Sequence, residues 1–369
     1  MALADSNGVP VYIGTYTGTG SKGIYLLRFD PVTGRMTDAA LAAEAANPTF
    51  FDFNARGDIL YSGSETASTD GVKSGAIAAF AVDPAHGALR LLNQQLSQGR
   101  SPCHVSLAKD GSAVFAANYS TGSVSMLPVL PDGRLAPVSC TIQHEGRGPD
   151  PERQEGPHAH SITPDPASGL LYACDLGLDR VFIYRAAEGA LRSVPPVALQ
   201  THPGAGPRHL AFHPNGRWLY VVNELDSTVS VFTRPSPNEP FAPTEVQSLS
   251  ALPPGTTLTT WCADIHIHPN QRFVYASNRG HDSLAVFAID PDSGLLTWLE
   301  ATPVEVAFPR SFTLDPSGRW ILAAGQNSDT ISAFAVNPET GRLRFTGQTI
   351  AVPRPVCLRF GRQGRPKTT

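Results

Sequence analysis

Two histidines separated by one residue are the best candidates in this sequence for moving a proton. His158 and His160 lie in the segment PHAH, and residues two apart in a β-strand point to the same side. An imidazole titrates near neutral pH, so either ring is a candidate general base. A hydrogen-bonded structural imidazole is the alternative for each ring taken singly. The pair predicts general-base chemistry that needs only one of the two rings.

Three arginines and one glutamate complete the candidate chemistry. Arg208 and Arg310 each follow a proline, whereas Glu224 and Arg279 each follow an asparagine. Guanidinium groups bind phosphate and carboxylate oxygens through paired hydrogen bonds, although isolated arginines usually only cover surface. The glutamate is a candidate ion-pair partner, water-orienting group or proton-transfer group. The predicted catalytic residues are His158, His160, Arg208, Glu224 and Arg279, with Arg310 in substrate binding.

An internal repeat indicates which elements position these residues. Its clearest copy, GPRHLAFHPNGRWLYVVNELDSTVSVF, starts at Gly206 and reads as three short strands separated by polar turns. Five further copies follow this pattern, and they start at Asn47, Ser101, Pro157, Trp261 and Phe308. Most copies continue through a turn such as DPDSGLL into a less regular fourth strand. Four antiparallel strands in each repeat are typical of a propeller blade.

The two chain ends supply a seventh unit. VYIGTYTG and KGIYLLRFDPVTGRM match the second and third strands of the repeat, but no first strand precedes them. RPVCLRFG, from Arg354, has the pattern of a first strand with no strand after it. We therefore predict an all-β fold, a seven-bladed β-propeller closed by pairing of these end segments, as one domain over residues 1–369. Two stacked β-sandwiches are the alternative.

One rim of the predicted propeller carries polar residues that differ from blade to blade. The start of a first strand and the end of a second strand share a rim because the chain reverses between them. Aligned on the opening proline, His158 corresponds to Arg208 and Arg310. Variety confined to one rim is typical of a functional site built on a symmetric frame. Because a rim residue contributes little to the core, Arg208→Ala is predicted to melt close to the parent. Further substrate-binding residues predicted at or beside this rim are His104, Tyr119, Asp175 and Gln326.

Composition argues against several kinds of partner and cofactor. A formal net charge of -4 without basic runs is not the footprint of a nucleic-acid-binding protein, and no apolar stretch is long enough for a membrane span. The start MALADSNG predicts a cytoplasmic protein, or a periplasmic or secreted one if a leader was removed. Five scattered cysteines without a CxxC pair indicate reduced thiols. His266 and His268 are spaced like metal ligands, but His268 aligns with turn residues, so no metal and no cofactor is predicted.

Several ordered motifs resemble those of one enzyme family. There is no GxSxG elbow, HExxH or glycine-rich phosphate loop, which leaves a non-covalent mechanism. The segments GTYT, ANYSTGSV, PHAH, GPRH, NELDSTV, SNRGHDS and FPRSFTLDPSG resemble the propeller-type lactonases, a family that includes bacterial 6-phosphogluconolactonases and fungal carboxymuconate cyclases. In the cyclase branch this resemblance implies a histidine, two arginines and a glutamate as active residues. The matching positions are the PHAH histidines, Arg208, Glu224 and Arg279.

Three functions follow from these residues and this resemblance. The first is hydrolysis of 6-phospho-glucono-lactone, with a histidine activating water while arginines hold the phosphate and the carbonyl oxyanion. The second is a carboxymuconate-type cyclase, or a lactonase for an unphosphorylated sugar, in which the arginines bind carboxylates. The third is a non-enzymatic propeller that binds a protein at the same rim. The preferred partner is a small anionic lactone or carboxylate, and the oligomeric state is left open between monomer and dimer.

Overall fold

The computed structural model describes residues 8–18 and 20–361. Strands β1 to β14 are Val9–Thr15, Gly23–Phe29, Ala40–Glu44, Phe50–Phe53, Ile59–Ser64, Ala76–Val82, Leu89–Leu96, Pro102–Leu107, Ala113–Asn118, Ser123–Pro128, Cys140–Gln143, Ala159–Pro164, Leu171–Asp175 and Arg180–Ala187. Strands β15 to β28 are Ala190–Gln200, Pro207–Phe212, Trp218–Asn223, Thr228–Thr233, Gln247–Ser250, Trp261–Ile267, Phe273–Arg279, Ser283–Ile289, Leu296–Pro303, Pro309–Leu314, Trp320–Gly325, Thr330–Val336, Leu343–Ala351 and Pro355–Phe360. A single 3-10 turn in this range, Tyr119–Thr121, follows β9.

The strands form seven antiparallel four-stranded sheets. Blade 1 has the order β28-β1-β2-β3, and blades 2 to 7 each use four consecutive strands from β4 to β27. The first strands of the blades contact one another in succession, from β4 through β8, β12, β16, β20 and β24 to β28, and β28 contacts β4 again. The first strands therefore line the axis of a closed ring. The predicted seven-bladed propeller is confirmed for the described residues, and residues 1–7, 19 and 362–369 of the predicted domain lie outside them.

The two chain ends close the ring in the predicted way. Strand β28 pairs with β1, and the register places Leu358 opposite Ile13 and Arg359 opposite Tyr12. This pairing gives blade 1 the first strand that the N-terminal repeat lacks. The closure thus gives all seven blades a first strand at the axis, where the functional rim positions lie.

Burial follows the position of each strand within its blade. The second strand of blade 5, β17, is buried at all six residues, whereas the fourth strand of blade 7, β27, alternates between partly buried and exposed residues. Both faces of an inner strand pack against neighbouring blades, so its sequence WLYVVN is almost wholly apolar. The core therefore lies between blades.

The recurring tyrosine and glycine of the repeat join neighbouring blades. The hydroxyl of Tyr220, in the second strand of blade 5, donates a hydrogen bond of 2.9 Å to the carbonyl of Gly294 in the next blade. Gly294 has a φ of +76°, and a Cβ there would lie 2.2 Å from the ring of Trp218, so the position requires glycine. The same bond recurs between three other blade pairs: Tyr12 to Gly87, Tyr61 to Gly133, and Tyr275 to Gly341.

Candidate active site

A β-bulge near the start of the first strand aims one residue of a blade into the channel. In blade 5 Pro207 pairs with Asn223 but His209 pairs with Val222, so Arg208 is the extra residue. Bulges of this kind redirect a side chain and are common beside active sites. The equivalent bulged residues in blades 3, 4, 7 and 1 are Cys103, His160, Arg310 and Val356.

The bulges correct the alignment of the PHAH segment. In blade 4 Ala159 pairs with Asp175 and Ser161 with Cys174, so His160, not His158, is the structural equivalent of Arg208. Alignment on the opening proline was wrong by two residues here because Ala159 takes the place that proline holds in blades 3, 5 and 7.

A cavity of about 330 Å³ lies at the rim where these bulges meet the ends of the second strands. Pairing of Pro207 with Asn223, and of Trp261 with Arg279, holds the two kinds of strand end together. Six blades and one loop contribute to its wall. The lining residues are Glu65, Cys103, Tyr119, Arg153, His160, Glu224, Trp261, Arg279, Phe308 and Arg310.

Glu224 is the hub of the charged groups at this cavity. Its Oε2 lies 2.8 Å from Nε of Arg208 and 2.7 Å from Nη2 of Arg279, and its Oε1 lies 2.7 Å from Nη2 of Arg153. Burial alone would raise the pKa of Glu224, but the three guanidiniums outweigh burial and lower it below its ordinary value. Glu224 therefore stays ionised and fixes the arginines, rather than carrying a proton.

The neighbouring ring of His160 has the opposite character. Its Nε2 lies 4.0 Å from Oε2 of Glu224, and its Nδ1 lies 3.7 Å from Sγ of Cys103. Burial lowers the pKa of His160 well below its ordinary value, and the nearby Arg208 lowers it further. The imidazole is thus neutral near pH 7, which is the protonation state that a general base requires. Burial also raises the pKa of Cys103, so this residue is a thiol and not a thiolate nucleophile.

Arg310 occupies the opposite wall with its hydrogen-bond donors unused. Its guanidinium lies 5.6 Å from the centre of the Tyr16 ring, and no described residue accepts a hydrogen bond from it. Glu65, close by, accepts hydrogen bonds from the hydroxyls of Tyr16 at 3.0 Å and Thr49 at 2.6 Å. An arginine with five free donors facing a cavity is available to an anionic ligand.

Arg208 is more deeply placed than a rim position suggests. Its side chain is 2% exposed, and besides the bond to Glu224 its Nη1 donates to the carbonyl of Ala263. Arg208 also contacts a small space of about 10 Å³ that separates the cavity from the rest of the channel. It therefore supports the wall of the site from behind, which bears on the stability of any Arg208 variant.

Two predicted residues lie beside the cavity without lining it. The His158 ring stacks on that of Tyr119, with centroids 4.6 Å apart, and its Nε2 lies 3.1 Å from Glu155. Asp175 is fully buried, and its Oδ1 accepts a 2.8 Å hydrogen bond from the backbone N–H of His158. Both residues therefore fix the segment that carries His160.

Two others point elsewhere. His104 lines a second cavity, of about 590 Å³, together with His209, Asp264 and His266. The bulge at Cys103 turns the next residue, His104, away from the first cavity. Gln326 is also absent from the lining of the first cavity, and its Nε2 contacts Asn327 at 3.4 Å.

Sequence reasoning missed several residues of the site. Arg153, Trp261, Phe308 and Glu65 line the cavity, and the sequence had given none of them a functional role. Arg153 lies in the connection between β11 and β12, residues 144–158. The length and polarity of this connection, directly before PHAH, were the available signal, because long loops beside a rigid frame often carry function.

The described residues offer no group of three or more side chains arranged to hold a metal ion. Nε2 of His268 lies 2.8 Å from the carbonyl of Gly318, in keeping with the role in a turn that its alignment predicted. None of the helical segments described is long and apolar enough to cross a membrane.

Comparisons with known proteins cover nearly the whole chain. A family model described as lactonase, 7-bladed beta-propeller, matches residues 10–360. The 6-phosphogluconolactonase of Bacillus subtilis strain 168 is 38% identical over 350 residues, which are 95% of this chain and 97% of that protein. A solved periplasmic gluconolactonase of Pseudomonas aeruginosa is 34% identical, with a TM-score of 0.88, over 96% of this chain and 99% of its own. A solved structure from Bacteroides fragilis NCTC 9343 is also 34% identical, with a TM-score of 0.88, over 97% of this chain and 99% of its own.

Proposed function

Because the chain belongs to the lactonase family of seven-bladed β-propellers, we propose that it hydrolyses 6-phospho-glucono-lactone to 6-phosphogluconate. The observation that carries the proposal is the charge of the site. Three guanidiniums line the cavity beside two carboxylates, those of Glu65 and Glu224, so the lining has a net charge of +1 with the His160 imidazole neutral, and the guanidinium of Arg208 adds a further positive charge behind the wall. Such a site attracts and holds an anion. The name of the Bacillus subtilis relative supports a phosphorylated lactone as that anion.

His160 acts as the general base in this proposal. A water molecule attacks the lactone carbonyl carbon while Nε2 of His160 takes its proton, and the carbonyl electrons move onto oxygen. When the tetrahedral intermediate collapses, the bond from carbon to the ring oxygen breaks, and the imidazolium returns its proton to that oxygen. The product is an open-chain acid whose ionisation releases one proton to solvent.

Arg279 and Arg310 stabilise the oxyanion that forms in the first step. Both guanidiniums face the cavity, and that of Arg279 is buried, so water screens its charge little. Arg279 remains protonated even though burial lowers its pKa to about 10. Arrays of donors that are fixed before the reaction contribute most to catalysis of acyl transfer, and Glu224 supplies that fixation here.

A second candidate substrate is an unphosphorylated glucono-lactone. The observation that favours it is the 34% identity and TM-score of 0.88 to the Pseudomonas aeruginosa periplasmic gluconolactonase. The chemistry at the carbonyl would be the same, since His160 and the arginines act there. The two candidates differ only in what the remaining positive charge of the site binds.

A panel of lactones tests the proposal. In a pH-stat, proton release is followed with 6-phospho-glucono-lactone and glucono-lactone, and proton uptake with carboxymuconate, whose cyclisation joins a carboxylate to a C=C bond and adds a proton to carbon; the uncatalysed rate is subtracted. We expect the highest kcat/KM for the phosphorylated lactone, and a loss of about 10²- to 10⁴-fold in His160→Gln. His86→Gln, which alters an exposed histidine at an outer turn, is the control and should keep the parent rate.

Other results of the lactone panel would indicate other functions. Preference for glucono-lactone would make the unphosphorylated sugar the substrate. Turnover of carboxymuconate alone would make the protein a cyclase. Full activity in His160→Gln on a verified substrate would remove this histidine from the mechanism, and no turnover of any panel member would leave binding at the rim as the function.

A further inference from the structure

The connection between β11 and β12 holds one arginine over the mouth of the cavity. Residues 144–158 form this connection, and buried Gln154 anchors it, because its Nε2 donates to the carbonyl of Leu176 at 2.8 Å and to Oδ1 of Asp179 at 2.7 Å. Oδ1 of Asp150 accepts the backbone N–H of Arg153 at 3.1 Å. The backbone at Arg153 is therefore fixed, and its side chain reaches back across the mouth to Glu224.

Arg153 differs from the other arginines of the site in exposure. Its side chain is 35% exposed, against 2% for Arg208 and 5% for Arg279. It lies where the cavity opens to solvent, whereas the other two lie within the wall. Among these three arginines, Arg153 is therefore the outermost.

Arg153 also has donors to spare. Its Nη2 is used by Glu224 at 2.7 Å and by the hydroxyl of Tyr119 at 3.4 Å, but among the described residues nothing accepts from its Nε or Nη1. By contrast, Arg279 uses Nε and Nη2 on the carbonyls of Trp261 and Cys262 as well as on Glu224. Nε and Nη1 lie on different edges of the guanidinium, so each is available to donate a separate hydrogen bond to an oxygen of an anionic group.

We propose that Arg153 is the residue that determines specificity for a phosphorylated lactone, by binding the phosphate at the end of the sugar remote from the reacting carbonyl. This inference rests on the proposed function. The carbonyl has to reach His160, which is 4% exposed, so the far end of the substrate faces the mouth. A dianion costs much free energy to remove from water. A partly exposed guanidinium with free donors accommodates it at lower cost than the buried arginines.

The test compares one pair of substrates in three variants. kcat/KM is measured for 6-phospho-glucono-lactone and for glucono-lactone in the parent, Arg153→Ala, Arg153→Lys and the control Arg147→Ala, which alters an exposed arginine of the same connection outside the cavity lining. We expect Arg153→Ala to lower the value for the phosphorylated lactone about 10- to 150-fold and that for the plain lactone less than about threefold. For the phosphorylated lactone, kcat/KM of Arg153→Lys should lie between the values of the parent and of Arg153→Ala. Arg147→Ala should match the parent.

Binding of the products separates this inference from the proposed function. Calorimetry with 6-phosphogluconate and gluconate needs no turnover, and we expect the parent to bind the phosphorylated product more tightly and Arg153→Ala to lose most of that difference. An equal loss for both substrates, or an unchanged preference for the phosphorylated product in Arg153→Ala, would overturn the role of Arg153. A parent that hydrolyses neither lactone would instead overturn the proposed function, while the binding comparison would still decide the role of Arg153.

Discussion

Nδ1 of His144 lies 2.6 Å from Oδ2 of Asp175, and both side chains are buried. Nδ1 of His144 is hydrogen-bonded to this carboxylate, and Nε2 is hydrogen-bonded to the hydroxyl of Tyr184 at 2.9 Å. The other carboxylate oxygen, Oδ1, accepts from the backbone N–H groups of His158 and Gly177. A chain of hydrogen bonds thus runs from Tyr184 through His144 and Asp175 to the backbone of His158, two residues before His160.

Replacement of Asp175 should weaken both the fold and the site. Asp175→Ala leaves three buried donors without an acceptor, at about 1–3 kcal/mol each, so we expect the free energy of unfolding to fall by about 3–5 kcal/mol, as for other broken buried pairs. Asp175→Asn keeps the Oδ1 acceptor and should cost less. Urea unfolding measures both values, and equal stability of the alanine variant and the parent would contradict the structural role.

The buried histidines predict how stability depends on pH. Burial lowers the pKa of His104 and His160 well below the ordinary value, and that of His209 to about 4. These rings bind fewer protons in the folded protein than in the unfolded chain, so unfolding takes up protons. The free energy of unfolding should therefore be greatest above pH 6.5 and should decrease as the pH falls from about 6.5 towards about 4.

Urea midpoints at pH 7.5, 6 and 5 measure this effect. His209→Gln removes one of the three rings, and its midpoint should depend less steeply on pH than that of the parent. A parent midpoint that stays constant or rises between pH 7.5 and pH 5 would show that these histidines are not neutral in the folded protein.

Much of the site could be predicted because it follows from the repeat. Arg208, Glu224 and Arg279 lie at the ends of strands whose pairing the repeat implies, and they meet around one carboxylate. The histidines were harder to separate. His158 and His160 differ by two residues, and only the bulge after Ala159 decides which one enters the cavity. The position of the opening proline, on which the repeats are aligned, does not show where the bulge lies.

Arg153 could not be predicted from the repeat. Its position depends on where residues 144–158 run, and that path depends on the contacts of Gln154 with Leu176 and Asp179 in blade 4. These contacts are between residues more than twenty positions apart, and no periodicity connects them. Glu65 directly follows the second strand of blade 2, close to Thr49 of the same blade, but its hydrogen bond to Tyr16 arises only when blades 1 and 2 lie side by side.

Removal of metal ions should leave the rate of lactone hydrolysis unchanged. The carboxylates that line the cavity are Glu65 and Glu224, and hydroxyl or guanidinium donors already occupy their oxygens. A hard cation such as calcium needs several free oxygen ligands. The measurement is turnover before and after EDTA treatment and dialysis. Loss of activity that calcium or magnesium restores would contradict this expectation.

Arg208 and Arg310 should respond differently to the same truncation, because only Arg208 is held by the protein. Arg310→Ala removes a guanidinium that donates no hydrogen bond to any described residue. We expect kcat/KM to fall about 10- to 150-fold while the free energy of unfolding changes by less than about 0.5 kcal/mol. Arg208→Ala removes the bonds to Glu224 and to the carbonyl of Ala263, so activity and stability should both decrease.

Arg208→Ala should be less stable than the parent, although its rim position had predicted that it would melt close to the parent. The carboxylate of Glu224 keeps Arg279 and Arg153 as partners, so no unpaired buried charge results, and the expected loss is about 1–3 kcal/mol. Urea unfolding and the kinetics of both variants are measured on the same preparations. Arg208→Lys is the matched variant, since it keeps the charge but not the paired donors, and it should recover part of the stability. A fully stable Arg208→Ala, or an Arg310→Ala that unfolds more readily than Arg208→Ala, would mean that the two arginines have exchanged the roles assigned to them.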